Sequence, residues 1–331
     1  NVNLEISPGA FVAGEETALI ATLAGERGMP KPRPPYPTET KEPILVNNCE
    51  TLANIPTILN IGVEKYHEIG SEKSPGTKLL SLAGKVRQIG YIEVPFGMSL
   101  REIIFDLGGG LRGNRPFKAA QVGGPSGGFL SASFLDTPME FDSLEALGLS
   151  LGSGSIVVID DESCIVALNR YNLEFMSKES CGRCIPCREG IYRLLEIIDS
   201  IVTKDNLGTE SGLKRYQTLS QLEKLAQVIA DTSACGLGQC APNPVLSSLK
   251  FFREEYEAHI FSQKCPAKQC KGLLTYRIDA DLCKGCSVCL ERCPEGAIVG
   301  ERKHSHFILA DRCTRCGICL EFCSFAAIII S

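Results

Sequence analysis

Fifteen of the 17 cysteines in this 331-residue chain lie in its last 151 residues; only Cys49 and Cys164 precede Cys181. A secreted disulfide scaffold is short and cysteine-dense throughout. Here a long cysteine-poor part precedes a cysteine-rich one, and the spacings are those of metal sites. That predicts a reducing, cytoplasmic setting with several bound clusters rather than disulfides. At roughly 150 residues per domain the length allows two domains or more. The net charge is −5 and no basic stripe is visible, which argues against a nucleic-acid partner. No run of 18 apolar residues exists to make a spanning helix. No basic segment followed by an apolar one marks a signal peptide at the N-terminus.

The strongest signal is an internal repeat. Cys283, Cys286, Cys289 and Cys293 form a Cx2Cx2Cx3C run that recurs 30 residues later as Cys313, Cys316, Cys319 and Cys323. Three closely spaced thiolates hold three corners of a cubane, and the fourth comes from the other repeat. The spacing therefore predicts one [4Fe-4S] cluster on Cys283, Cys286, Cys289 and Cys323. A second falls on Cys313, Cys316, Cys319 and Cys293. Pro294 follows the first run as expected, whereas Ser324 stands in that place in the second. Two zinc sites are the competing reading, and paired CxxC knuckles would suit zinc better.

A third set comes from Glu179–Gly190, ESCGRCIPCREG, where Cys181, Cys184 and Cys187 sit just before a helical stretch. Cys235 follows in a glycine-rich stretch after another helix. These four predict a third [4Fe-4S] cluster, with amide N–H groups of the glycines donating to its sulfurs. Cys240, Cys265 and Cys270 then remain, with His259 between them. Three thiolates and an imidazole match a closed structural Zn2+ site, with a [2Fe-2S] cluster or free thiols as alternatives. Cys164 falls on an apolar stripe with Leu168, Tyr171 and Phe175 and reads as a small core residue.

The rest of the chain divides by pattern. Residues 1–70 read as α/β, with a helical stretch from Glu15 to Ala24 and another after Asn47-Asn48. Between them five prolines in positions 30–37 make a stiff extended loop. Residues 71–162 read as a small β-grasp-like α+β unit, with strands near 79–82, 91–94 and 155–160 and a helix over 100–107. Gly123–Gly128 lacks the Lys-Ser/Thr of a phosphate loop and reads as a structural turn. Residues 163–262 show four apolar stripes and predict a four-helix bundle. Residues 263–331 complete an α+β multidomain chain with a bacterial-type ferredoxin domain.

Several of these motifs occur together in order. They are Gly14-Glu15-Glu16-Thr17-Ala18-Leu19, the Pro34-Pro35-Tyr36-Pro37 loop, Val46-Asn47-Asn48 through Asn54, and the ESCGRCIPCREG segment. Over residues 1 to about 262 the chain resembles the NADH-oxidising, FMN-binding subunit of respiratory complex I. With its appended ferredoxin domain it is similar to the beta subunit of electron-bifurcating diiron hydrogenases. NAD(P)-dependent formate dehydrogenases and transhydrogenases share the layout. The resemblance implies that residues 1–70 are the C-terminal part of an FMN- and NADH-binding domain and that residues 71–162 are a soluble-ligand-binding β-grasp domain. It implies that Gly14, Glu15 and Glu16 lie beside flavin and nicotinamide and that Asn47, Asn48 and Thr51 hold the FMN. Tyr36 would lie near the NADH adenine, and Phe11 replaces a tyrosine near the flavin. Taken singly, the two glutamates read as a helix start and Asn47-Asn48 as a helix cap.

The family's glycine-rich phosphate loop precedes the first of these motifs, and residues 1–13 hold none. The expectation is that an upstream part belongs with this piece. The function implied is electron transfer between NAD(H) or NADP(H), FMN and iron–sulfur clusters in a multisubunit hydrogenase. Its implied partners are a catalytic subunit, a thioredoxin-like [2Fe-2S] subunit and ferredoxin. A non-catalytic wiring and docking module is the alternative from a different class.

Overall fold

The computed structural model describes residues 2–7, 9–203 and 212–330. The N-terminal part carries α1 (Glu16–Leu23), α2 (Cys49–Ile61) and α3 (Val63–His67). Glu15 starts α1 by accepting the N–H of Ala18 at 2.9 Å, which puts a carboxylate at the positive end of the helix. Asn48 starts α2 by accepting from the Glu50 N–H at 2.7 Å. No residue of α2 is buried, so its apolar positions Leu52, Ile55 and Leu59 face outward.

Residues 77–160 build one five-stranded sheet. Its strands are β1 (Thr77–Gly84), β2 (Gly90–Pro95), β3 (Phe117–Val122), β4 (Gly128–Ser131) and β5 (Ser155–Asp160), in the order β2-β1-β5-β3-β4. The central pair β1 and β5 is parallel, with Leu82 opposite Ile156, and each flank is antiparallel. Leu80, Leu82, Ile103, Ile104, Leu130 and Ile156 make its core. The helical stretch expected at 100–107 forms, but Glu102–Leu107 winds as a wider π turn. A short helix, α4 (Phe141–Glu145), precedes β5. β3 and β4 carry no legible alternation because β3, FKAAQV, buries four successive residues on both faces.

The next part is helical: α5 (Ile165–Glu179), α6 (Ile191–Thr203), α7 (Gly212–Thr232), α8 (Gly236–Cys240), α9 (Asn243–Phe251) and α10 (Arg253–Ile260). Two expectations are corrected here. The fourth apolar stripe, Val245, Leu249, Phe252 and Tyr256, is not one helix, since Phe252 leaves helical geometry (φ −136°, ψ 32°) and separates α9 from α10. The buried face of α5 is Ile165, Val166, Asn169, Asn172, Leu173 and Met176, and Tyr171 is exposed. The polar core explains the second difference. Asn169 donates to Ser248 Oγ and to Tyr256 Oη at 2.7 Å each, so the helix turns an amide inward.

The last part shows the pseudo-twofold. It contains β6 (Tyr276–Ile278), α11 (Val288–Arg292), β7 (Ile298–Val299), β8 (Phe307–Ile308), α12 (Ile318–Glu321) and β9 (Ile328–Ile330). β6 pairs with β9 and β7 with β8, so each two-stranded sheet takes one strand from each repeat. Among the described residues no helix is long and apolar enough to cross a membrane.

Candidate metal centres and binding cleft

The tightest cluster of ligating side chains lies where α5 begins, α10 ends and the following loop returns. Cys164, His259, Cys265 and Cys270 are all buried, and their ligating atoms lie within 4.8 Å of one another. His259 Nε2 is 3.3 Å from Cys164 Sγ and 3.4 Å from Cys270 Sγ, and the two sulfurs are 3.6 Å apart. Zn–S bonds of about 2.3 Å at tetrahedral angles need separations of about 3.7 Å between sulfurs, so these atoms need only small shifts to surround one ion. His259 Nδ1 donates to the Glu255 carbonyl at 2.6 Å, which leaves Nε2 facing the thiols. The same residue braces the far side of the site: Glu255 Oε2 accepts from the Ile165 N–H, and Oε1 pairs with Lys118. Gln269 adds a clamp by accepting from the Cys164 N–H at 3.1 Å.

The thiols and the imidazole of this group perturb one another strongly. Hydrogen bonds with Cys164 and Cys270 hold the Cys265 thiol far below its ordinary value. Hydrogen bonding with Cys164 and Cys265 pushes Cys270 far above its own. Burial alone would lower His259, but its hydrogen bonds to Cys164 and Cys265 outweigh that and raise it to about 10. Three buried thiols cannot all ionise beside one another unless a metal neutralises them.

The fourth member of this group is Cys164, where the sequence pointed to Cys240. Cys240 ends α8, one helical turn after Cys235, and stays on that side of the bundle. Cys164 caps α5, and the break at Phe252 brings α10 beneath it. On a hydrophobic stripe a buried ligand thiol and a buried core thiol look alike, which is why the residue pattern missed it.

Cys181, Cys184, Cys187 and Cys235 converge at the other end of the helices. Burial, together with the neighbouring Cys184, Cys235 and Cys181 thiols, pushes the Cys187 thiol up to about 11, against a lowering hydrogen bond with Ser180. Burial also raises Cys235, while the N–H groups of Gly238 and Leu237 donate to its sulfur and pull the other way. Those amides are donors of the kind expected from the glycine-rich stretch. Among the described residues only the Cys164 group closes to within 4.8 Å. The wider opening of the Cys181 set suits a multi-iron cluster rather than a single ion.

Two small cavities, of about 20 and 10 Å3, lie in the last part. Cys293, Cys313, Cys316 and Cys319 line the first, and Cys283, Cys286, Cys289 and Cys323 line the second. The backbone N–H of Ala297 donates to Cys293 Sγ at 3.3 Å, and that of Ala327 to Cys323 Sγ at 3.4 Å. The two crossing cysteines are thus held by matching donors.

A larger cleft, of about 480 Å3, lies between the N-terminal part, the sheet and the helices. Phe11, Gly14, Glu15 and Glu16 line one wall, Gly236, Leu237 and Cys240 of α8 another, and Gly123, Ser126, Gly127, Ser150 and Gly152 contribute a third. The glycine turn at 123–128, read from the sequence as structural, therefore also borders the cleft. It is tightly built: a Cβ on Gly127 would fall 1.8 Å from the Val122 carbonyl oxygen. Glu15 and Glu16 each pair with Arg33 at 2.9 Å, and the Arg33 guanidinium lies 5.9 Å from the Tyr36 ring centre. Phe11 meets Phe175 edge-on at 5.6 Å, and its N–H donates to Glu179. Asn47, Asn48, Thr51 and Tyr36 do not line this cleft; they are exposed.

These features together define an iron–sulfur protein with a binding cleft beside its metal-binding helices. Residues 167–259 match the family model of the NADH-ubiquinone oxidoreductase-F iron–sulfur binding region, and residues 275–324 match that of the 4Fe-4S dicluster domain. The chain is homologous to the HndC component of the NADP-reducing hydrogenase of Solidesulfovibrio fructosivorans, with 47% identity over 92% of this chain and 61% of that protein. It is also homologous to an NADH-quinone oxidoreductase component of Streptomyces coelicolor, with 40% identity over 80% of this chain and 58% of that protein. A solved structure of an NAD+-reducing [NiFe]-hydrogenase in the H2-reduced state is similar at a TM-score of 0.67 and 33% identity, covering 77% of this chain and 42% of that one. The resemblance drawn from the ordered motifs is thereby shown. The chain spans about 60% of the length of these curated relatives.

Proposed function

We propose that this chain moves electrons between a nicotinamide nucleotide bound in the cleft and a series of iron–sulfur clusters, as part of a multisubunit hydrogenase. One observation carries this reading. α8 forms a wall of the cleft through Gly236, Leu237 and Cys240, and the N–H groups of Leu237 and Gly238 donate to Cys235. A redox group in the cleft is thereby separated from the Cys181/Cys184/Cys187/Cys235 cluster by little more than one short helix. FMN, when bound, converts a two-electron hydride donor into one-electron carriers. The protein's part is to hold and shield. Arg33 neutralises Glu15 and Glu16 at the cleft wall, and Phe11 packs its ring against Phe175 at the helical side. No side chain is needed as acid or nucleophile.

In this reading residues 1–70 belong to the FMN- and NADH-binding domain, 71–162 to the β-grasp domain, 163–262 to the cluster-bearing bundle and 263–331 to the two-cluster ferredoxin domain. The partners would be a catalytic hydrogenase subunit, a [2Fe-2S] subunit and ferredoxin. The complete complex, purified anaerobically, is expected to show flavin bleaching with NADH or NADPH. Absence of bleaching with both nucleotides would argue for the wiring-module alternative.

The donor sets also fix an expected metal content. Three four-iron clusters and one Cys3His ion give about twelve iron and one zinc per chain. Because all four atoms of the Cys164 group lie close together, a single ion fits better there than a two-iron cluster, whose ligands would separate into two pairs. Anaerobic metal analysis returning about fourteen iron and no zinc would reverse that assignment.

A further inference from the structure

The pseudo-twofold of residues 276–330 lets each side chain be compared with its counterpart 30 residues away. The backbone is matched closely. Gly285 and Arg315 share a left-handed φ (64° and 60°), as do Ser287 and Gly317 (66° and 85°) and Gly296 and Ala326 (58° and 50°). The amide donors to Cys293 and Cys323 match as well. At one buried pair lining the two cavities the chemistry differs. Tyr276 stands in one repeat where His306 stands in the other.

Both side chains are buried, and each lines the cavity of the opposite repeat. Tyr276 borders Cys313, Cys316 and Cys319, and His306 borders Cys283, Cys286 and Cys289. The Tyr276 hydroxyl makes no hydrogen bond among the described residues. His306 is placed differently, with Nδ1 3.9 Å from Cys283 Sγ and Nε2 3.4 Å from Ser287 Oγ. Two further differences accompany it. Ser287 supplies a hydroxyl where its counterpart Gly317 has none. Room for the imidazole is left by Gly300, where a Cβ would come within 2.8 Å of His306 Cδ2. Its counterpart, Ile330, is the strand partner of Tyr276.

A cluster-bound thiolate carries no proton, so in its contact with His306 only the imidazole can donate. That puts the proton on Nδ1 and leaves Nε2 to accept from the Ser287 hydroxyl. We infer that His306, oriented by Ser287, makes the two clusters of this domain unequal by donating to Cys283. The cluster of Cys283, Cys286, Cys289 and Cys323 is thereby held at a higher reduction potential than its twin. The inference rests on the reading that two [4Fe-4S] clusters occupy this domain. A donor to a ligand sulfur stabilises the more negative, reduced cluster, and burial keeps that interaction from being screened. Electrons reaching the domain then settle on the His306 side, which gives a symmetric scaffold a direction.

The test is a redox titration of the anaerobically purified complex, followed by low-temperature EPR. It compares the native protein with His306→Tyr, which copies the other repeat, and Ser287→Gly, which copies Gly317. In the native protein the two clusters are expected to titrate apart. His306→Tyr is expected to shift one of them downward by about tenfold in its reduction equilibrium, about 59 mV for one electron. Ser287→Gly is expected to move the same cluster in the same direction by less. The bundle cluster is expected to stay fixed, and Tyr276→Phe to move neither. Iron content is read first. A native domain with iron for fewer than two clusters would refute the two-cluster reading itself. Full iron with unmoved potentials in both variants would overturn the role of His306. An equal shift of both clusters would also overturn it, as the mark of a structural effect. If His306→Tyr loses iron, Ser287→Gly decides alone, and an unchanged potential there is the overturning result.

Discussion

Replacing Cys164 with alanine is expected to release about one equivalent of zinc per chain and to lower stability by more than about 3 kcal/mol. The size follows from what the site joins. Cys164 opens α5, His259 lies in the last turn of α10, and Cys265 and Cys270 lie on the loop leading to the ferredoxin-like part. A metal holding these segments together contributes its binding energy to folding, because the preformed site does not exist in the unfolded chain. Removing one ligand also leaves His259 and two buried thiols facing a gap. Cys240→Ala is the paired control and is expected to keep the zinc, since Cys240 lies at the end of α8 beside the cleft. Metal analysis and thermal unfolding of both variants check the pair. Zinc retained in Cys164→Ala and lost in Cys240→Ala would restore the ligand set that the sequence suggested.

That exchange of one cysteine for another shows what sequence spacing can and cannot carry. The doubled run at 283–293 and 313–323 is legible because its ligands are local and its crossing partner is dictated by symmetry. The Cys181 set is legible because three of its four ligands are adjacent and the fourth follows a single helical excursion. The Cys164 contact with His259 spans 95 residues. It depends on a helix break at Phe252 that no proline or glycine announces. The sheet is legible at β1, β2 and β5, where β-branched and leucine-rich runs are bounded by turns. β3 and β4 are not, since an alanine-containing strand buried on both faces lacks the period-two pattern that marks a half-exposed one.

The N-terminal residues are a different case. Glu15 does cap α1 and Asn48 does cap α2, so the ordinary reading of each is true at the level of local structure. Glu15 nonetheless also faces the cleft, with Gly14, Glu16 and Phe11. Capping and ligand binding can use the same geometry, because a helix start presents unpaired N–H groups and a polar side chain to one side. Only the order of several motifs, read as a resemblance, points beyond capping to a ligand-binding role for this helix start.

The second large effect concerns Cys235. Cys235→Ala is expected to remove about four iron per chain and to cut the path between cleft and ferredoxin-like part, while leaving zinc in place. Cys235 is the one ligand of its set outside the 181–187 segment, and its sulfur receives the Gly238 and Leu237 N–H groups. Its loss opens the cluster on the side that faces α8 and the cleft. A substitution that merely unfolded the helices would release zinc as well, because Cys164, Cys265 and Cys270 belong to the same hydrophobic core as Cys187 and Ile229. The two outcomes are therefore separable by metal content alone. In the complete complex the variant is expected to keep flavin bleaching by nicotinamide nucleotide, since the cleft wall made by Phe11, Glu15 and Glu16 is untouched. Reduction of the ferredoxin-domain clusters by the same nucleotide is expected to become slower than flavin bleaching by at least about 100-fold. Rapid-mixing spectroscopy followed by freeze-quench EPR measures both steps. Unimpaired reduction of those clusters in a variant shown to lack the bundle cluster would mean that electrons reach them by another route, and the order from cleft to bundle to ferredoxin domain would have to be abandoned.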